Sequence, residues 1–214
     1  MFVIGLTGPS GAGKGTVCSI FGQFGIPSID TDAVYRELLA PPSACLNDLV
    51  QTFGERILSP DGTLNRRALG AIVFSDKDAL GRLDQTAHRH IMAEVRRRLA
   101  ALRERGVPAV VIDAPQLFEA DAARDCNAVV SVLAEESVRL ERIMRRDRIS
   151  EADARRRMRA QYPDAFFRTH SDYVLENNTN PEALIPLVRK LLGELGISAE
   201  TADPHLTAEK NIEQ

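Results

Sequence analysis

Apolar positions along this chain follow two rhythms: short unbroken runs of aliphatic residues, and longer stretches with an apolar residue every three or four positions. The short runs predict strands at residues 2–6, 27–29, 109–112 and 128–132, and a weaker one at 173–175. Between them the helical rhythm takes over. Val17, Ile20, Phe21 and Phe24 are spaced for one helix that ends near Gly25. From about 32 to 105 no strand pattern is visible; Ser43 reads as a cap before Leu46, Leu49, Val50 and Phe53, and a long amphipathic stretch runs from Asp76 to Arg103. After the fourth strand a second helical insertion restarts at a capping sequence, Ser150-Glu151-Ala152-Asp153. The last helix has Asn180 as its cap, Pro181 in its first turn and Gly196 past its end. Strands alternating with helices predict an α/β fold, a five-stranded parallel sheet with helices on both faces. The expected organisation is one domain over residues 1–196, with helical insertions at about 33–105 and 139–168 and a frayed polar tail at 197–214.

Bulk properties narrow the partners. A chain of 214 residues can bury a real core without a second full domain. With 27 basic against 30 acidic residues the net charge is −3, which gives no general attraction to nucleic acid or to a membrane surface, so any anion site has to be built locally. Cys18, Cys45 and Cys126 show neither a paired spacing nor neighbouring histidines at zinc spacing, and read as inert thiols in a reducing compartment. Residues 2–6 read as a strand, not as the apolar part of a signal peptide, and no run approaches the length of a membrane span. The expected setting is cytoplasmic and the expected assembly a monomer, with small-molecule partners.

The first predicted strand runs into Gly8-Pro9-Ser10-Gly11-Ala12-Gly13-Lys14-Gly15-Thr16. Small residues between a strand and a helix let successive backbone N–H groups turn inward around a polyphosphate, and the helix N-terminus favours the same charge. Lys14 supplies a point charge. The usual pattern has a hydroxyl directly after the lysine; here Gly15 takes that place and the hydroxyl that can reach magnesium comes from Thr16. The spacing Gly-Lys-Gly-Thr resembles the loop of nucleoside monophosphate kinases.

Acids and arginines supply the other candidates. Asp30 and Asp32 follow the second strand, on one side of it if the strand continues; Asp32 either orients and deprotonates an attacking hydroxyl, or caps a helix beginning at Ala33, or does both. Asp30 then gives structural or metal-shell support. Asp113 ends the third strand, where a phosphate-loop enzyme places a magnesium-shell carboxylate. Ten arginines crowd residues 139–168, and Arg139, Arg142 and Arg146 share one helix face that can close over a nucleotide; Arg142 and Arg146 are the two expected to act. His88 and His90 lie in the long helical stretch with no metal-spaced partner.

In order and spacing these motifs resemble the dephospho-CoA kinase family over nearly the whole chain. The resemblance rests on the phosphate loop, Ile29-Asp30-Thr31-Asp32 with Arg36, the segment from Asp61 to Leu69, Val73-Phe74, His88, the segment from Asp113 to Glu119, Arg142 with Arg146-Asp147, Gln161, Asp172 and Asn177. It implies a three-layer P-loop kinase fold with a helical acceptor-binding insertion and an arginine-rich lid. It implies phosphorylation of the ribose 3′-hydroxyl of dephospho-CoA by ATP with magnesium, the last step of coenzyme A synthesis. Carried onto this chain, Asp32 is the base, Lys14 and Arg142 act on the phosphates, Gly11, Ala12, Gly13, Lys14, Gly15 and Thr16 hold ATP together with Arg146, and Asn177 lies near the adenine. Thr16 and Asp113 face magnesium, and Arg66, Arg67 and His88 contact the acceptor. Three residues depart from the family pattern: Gly15 stands for serine, Arg89 for the proline after His88, and Gln116 for the leucine after Pro115. Two other classes fit the loop alone: a cytidylate-like kinase and a nucleotide-binding switch. The chain has no Asn-Lys-x-Asp motif for guanine.

Overall fold

The five apolar runs assemble into one sheet because each is apolar enough to be covered on both faces. In the computed structural model, which describes residues 1–198, they are β1 Phe2–Thr7, β2 Ser28–Asp30, β3 Ala109–Asp113, β4 Ala128–Leu133 and β5 Tyr173–Glu176. All neighbouring strands run parallel, in the order β2-β3-β1-β4-β5. β1 therefore lies in the middle, and the loop that follows it opens at the carboxyl edge where the strand order reverses, which is where open α/β sheets bind ligands.

Successive strand residues point to opposite faces, and each face has its own core. Ile4, Leu6, Val111 and Val130 pack against Val17 and Phe21 of α1 (Lys14–Gln23) and Val188 and Leu192 of α9 (Leu184–Glu194). On the other face Val3, Val110 and Ile112 pack against Val34 of α2 (Thr31–Leu38) and Ile91 and Val95 of α5 (Lys77–Glu104). The result is three layers. The first insertion folds as α2, α3 (Ala44–Phe53), α4 (Arg66–Val73) and α5, with a small core of its own around Leu49, Phe53, Ile57, Leu69 and Val73. An isolated antiparallel bridge joins Leu58 to Leu64 in this stretch, where no extended pairing was expected; a tight turn at Asp61-Gly62 brings the two leucines together. The second insertion is α6 (Glu136–Asp147), α7 (Glu151–Arg159) and α8 (Asp164–His170).

Caps fall largely where the polar residues indicated. Ser43, Asp76 and Ser150 accept from the backbone N–H of Leu46, Asp78 and Asp153. One cap differs. The second strand ends at Asp30, whose carboxylate accepts from the N–H of Asp32 (2.8 Å) and of Ala33 (3.1 Å), so Asp30 caps α2 and Asp32 lies within its first turn. Asp32 is thus not the cap, and the two acids do not continue a strand. Asn180 caps a short 3-10 turn, Pro181–Ala183, that precedes the last helix. Most of the polar tail, residues 199–214, lies outside the described residues. No helix among them is long and apolar enough to cross a membrane.

Phe21 is wholly buried between α1 and the sheet. Phe21→Ala is expected to cost about 3–5 kcal/mol in urea unfolding, the usual penalty for emptying a close-packed aromatic site.

Candidate active site

The loop from Gly8 to Gly13 pairs only part of its backbone within itself: Ala12 N donates to Pro9 O (3.1 Å), and the carbonyls that follow need donors from elsewhere. Three consecutive carbonyls are supplied by side chains from distant segments. Arg139 Nε donates to Ser10 O (3.1 Å), Arg142 Nη1 to Gly11 O (3.4 Å) and Asn177 Nδ2 to Ala12 O (2.7 Å). Gln161 Oε1 accepts from Ser10 N (2.9 Å). Gly13 begins α1 in the left-handed region at φ 93°, and a Cβ there would lie 2.0 Å from Asn177 Nδ2, so only glycine fits. Gly15 is the opposite case: a Cβ there would meet open space, so nothing in the packing requires this departure from serine.

Three acids and one lysine gather at the sheet edge beside this loop. Asp113 lies alongside Leu6 of β1 and Asp30 of β2, and its carboxylate pairs with the Lys14 ammonium. Thr31 Oγ1 donates to the Asp113 carbonyl (3.1 Å), tying α2 to the end of β3. Asp32 projects from the first turn of α2 toward the loop. Partial burial and the charge of Asp30 push its carboxyl above the usual aspartate range, with Lys14 opposing.

Two concavities meet here. One, of about 500 Å³, is lined by the loop from Gly8 to Gly15, with Asp32, Pro115, Gln161 and the lid arginines Arg142, Arg145 and Arg146. The other, of about 110 Å³, lies between α2, α5 and the segment after β3; Tyr35, Leu83, Ile91 and Met92 make it largely apolar, and His88 and Gln116 stand at its wall. Asp32 and Pro115 line both. His88 Nε2 donates to Gln116 Oε1 (3.3 Å), so one departure from the expected pattern is spent on that histidine. Arg89, another, pairs with Asp48 of α3 (2.6 Å), as does His90 (2.7 Å), which fastens α5 to its neighbour.

Several expected site residues fall together and others do not. Gly11, Gly13, Lys14, Gly15, Asp32, Arg142 and Arg146 line the larger cleft, Asp113 stands against its lysine, and Ala12 lies buried under the loop. Thr16 sits just inside α1, beyond the cleft lining. Arg66 and Arg67 open α4 and line neither concavity. Asn177 is only 4 % exposed, and its amide faces the back of the loop. Arg139 does not share a solvated face with Arg142 and Arg146. It is 6 % exposed and pairs with Asp164 (2.8 Å), because it lies one turn before the fully buried Ile143 on the inward side of α6. Gln161 and Pro115 carry contacts that residue type alone did not disclose. Burial pushes the thiols of Cys45 and Cys126 up to about 11 and about 12, which keeps them protonated and unreactive.

Removing the amide of Asn177 leaves the Ala12 carbonyl without its donor. Asn177→Ala is therefore expected to lower stability by about 1–3 kcal/mol and to weaken nucleotide binding together with it, seen as a lower Tm and a smaller Tm rise on adding ATP.

Comparison with known proteins agrees with this geometry. Residues 2–182 match the family model described as dephospho-CoA kinase. The dephospho-CoA kinase of Anaeromyxobacter dehalogenans is 39% identical over 195 residues, 91% of this chain and 92% of that protein. That of Moorella thermoacetica is 41% identical over 196 residues, again 91% and 92% of the two chains. A solved dephospho-CoA kinase structure from Campylobacter jejuni superposes with a TM-score of 0.67, covering 90% of this chain and 96% of that one at 24% identity, a likeness of fold. A phosphate loop braced from behind, an acid pair at the edge of a five-stranded parallel sheet and a family match over most of the length have one common reading: this chain belongs to the dephospho-CoA kinase family.

Proposed function

We propose that this chain transfers the γ-phosphoryl group of ATP to the ribose 3′-hydroxyl of dephospho-CoA, with Asp32 as the base. The observation that carries the proposal is the place of Asp32 on the wall of both concavities. A group that accepts a proton from an attacking hydroxyl has to stand between donor and acceptor, and a position on both walls supports that role for Asp32. The loop N–H groups and Lys14 hold the donor phosphates, and the apolar pocket beside His88 takes the acceptor. Lys14 is held by Asp113 in the meantime, so its ammonium is already aimed along the sheet edge toward the cleft.

Magnesium fits the donor set. Thr16 and Asp113 would offer it hard oxygens of the kind this ion combines with phosphate and water, and when bound it would neutralise charge on the phosphates. The residues of the chain do the remainder. Asp32 moves one proton; the loop and lid arginines exclude water and fix the line of attack.

The test is coenzyme A formation by the purified protein from ATP, magnesium and dephospho-CoA, with cytidylate and other nucleoside monophosphates as competing acceptors. Activity confined to a nucleoside monophosphate would replace the proposed acceptor. Asp32→Asn is expected to lower kcat by about 10²–10⁴-fold, the usual worth of a general base, without lowering Tm. Its raised carboxyl pKa gives the sign: the folded state holds the Asp32 proton more tightly than the unfolded chain does, so the ionised carboxylate adds no stability at neutral pH. The same shift sets the pH profile. Activity requires the ionised form, so kcat/KM is expected to fall on the acid side with an apparent pKa above that of an ordinary aspartate, and this limb should be absent from the residual activity of Asp32→Asn.

A further inference from the structure

The apolar pocket between α2 and α5 shares Asp32 with the phosphate-loop cleft, so the part of the acceptor that fills it lies next to the reacting hydroxyl. On the acceptor the ribose has two neighbours, the base and the diphosphate arm. Asp32 and Asp84 both line the pocket, and two acids disfavour a diphosphate there. Tyr35, Leu83, Ile91 and Met92 instead offer apolar and polarisable surface to a flat ring. The base is the part that fits. At the wall of the same pocket stands Gln116, next in sequence to Pro115, which lines both concavities. Its Oε1 accepts from His88 Nε2 (3.3 Å). A carbonyl oxygen has two lone pairs, so one is left over, and among the described residues the amide nitrogen of Gln116 makes no hydrogen bond. Because Oε1 can only accept, the ring nitrogen carries the proton, and the amide is held with its oxygen toward His88 and its N–H donors away from it.

We propose that Gln116 reads the base of the acceptor, accepting from the exocyclic amino group of adenine and donating to the neighbouring ring nitrogen. His88 is the positioning residue that keeps the amide from turning over. A glutamine amide matches this edge of adenine at two points, one acceptor and one donor, and no other base presents the same pair. The leucine of the family pattern at this position offers neither bond, so the reading belongs to this chain. A base with an oxygen in place of the amino group sets that oxygen against the Gln116 carbonyl, two acceptors facing each other. The amide cannot escape by rotating, because its oxygen would then leave the His88 N–H. The inference rests on the acceptor proposed above.

The full chain and the variants Gln116→Leu, Gln116→Glu and His88→Ala are compared on dephospho-CoA and on its analogue carrying hypoxanthine in place of adenine. Each pair is measured as kcat/KM at saturating ATP and as equilibrium affinity without ATP. The native protein should prefer adenine by about 10- to 100-fold, the worth of one two-point amide contact. In Gln116→Leu that preference should fall to within about threefold, through a KM for dephospho-CoA about tenfold higher, with kcat and the KM for ATP within about twofold of native. Gln116→Glu keeps the accepting oxygen but has no N–H for the ring nitrogen, so it should bind both bases more weakly and still prefer adenine. His88→Ala should lose most of the preference although Gln116 is intact, because the freed amide can turn its N–H toward the exocyclic oxygen. A merely structural role for either residue would lower both acceptors alike and leave their ratio unmoved. A native ratio within about threefold, or a native ratio retained by Gln116→Leu, overturns the reading of the base. A native ratio retained by His88→Ala overturns its positioning role. Failure of the acceptor itself is distinguishable: the native protein then makes no coenzyme A, while the equilibrium ratio between the two bases still decides the place of Gln116.

Discussion

Three carbonyls in a row, those of Ser10, Gly11 and Ala12, accept hydrogen bonds from Arg139, Arg142 and Asn177. The loop pairs the Pro9 carbonyl with its own Ala12 N–H but has no backbone donor for these three, and a buried carbonyl without a donor is costly. The donors come from α6 and from the end of β5, both more than a hundred residues away in sequence. Holding the loop open thus depends on the second half of the sheet and on the lid helices being in place. The same bonds set the position of α6, and through it the arginines that border the cleft.

The acid edge follows from strand order. With β1 between β3 and β4, Asp113 ends beside the loop that follows β1, and β2 on the outer side of β3 sets Asp30 next to Asp113. Asp30 is then used to start α2, and the turn it caps carries Asp32 into the space between the two concavities. Division of labour between two neighbouring acids comes from one cap. The first is fixed by two backbone N–H groups and stays structural; the second keeps its carboxylate free and, partly shielded from water, holds its proton more tightly than usual.

Departures from the family pattern are informative because each can be compared with what surrounds it. Gln116 accepts from His88 at the mouth of the apolar pocket, so a polar residue in place of an aliphatic one orients an imidazole there. Arg89 replaces a helix-disrupting residue inside the 28-residue α5 and joins His90 on Asp48, which strengthens the contact between α5 and α3. Gly15 has no such partner, and its surroundings would accept a side chain.

What the sequence determined by itself was local. Apolar periodicity located five strands and the helices between them, polar residues at helix starts located most caps, and the glycines around Lys14 located the phosphate loop, because each depends on residues within a few positions of one another. The family resemblance was legible for the same reason, as an ordered series of short segments. Tertiary structure decided the matters that depend on long-range pairing: that Asp30 rather than Asp32 caps α2, that Arg139 is buried on Asp164, that Arg142 donates to three carbonyls, and that Asp32 stands at the junction of two concavities. A one-residue difference at a strand end, or a quarter turn of a helix, changes which side chain is satisfied within the protein and which remains available to a ligand. Residue type and spacing do not carry that information, since it is fixed only when donors and acceptors far apart in the chain are brought together.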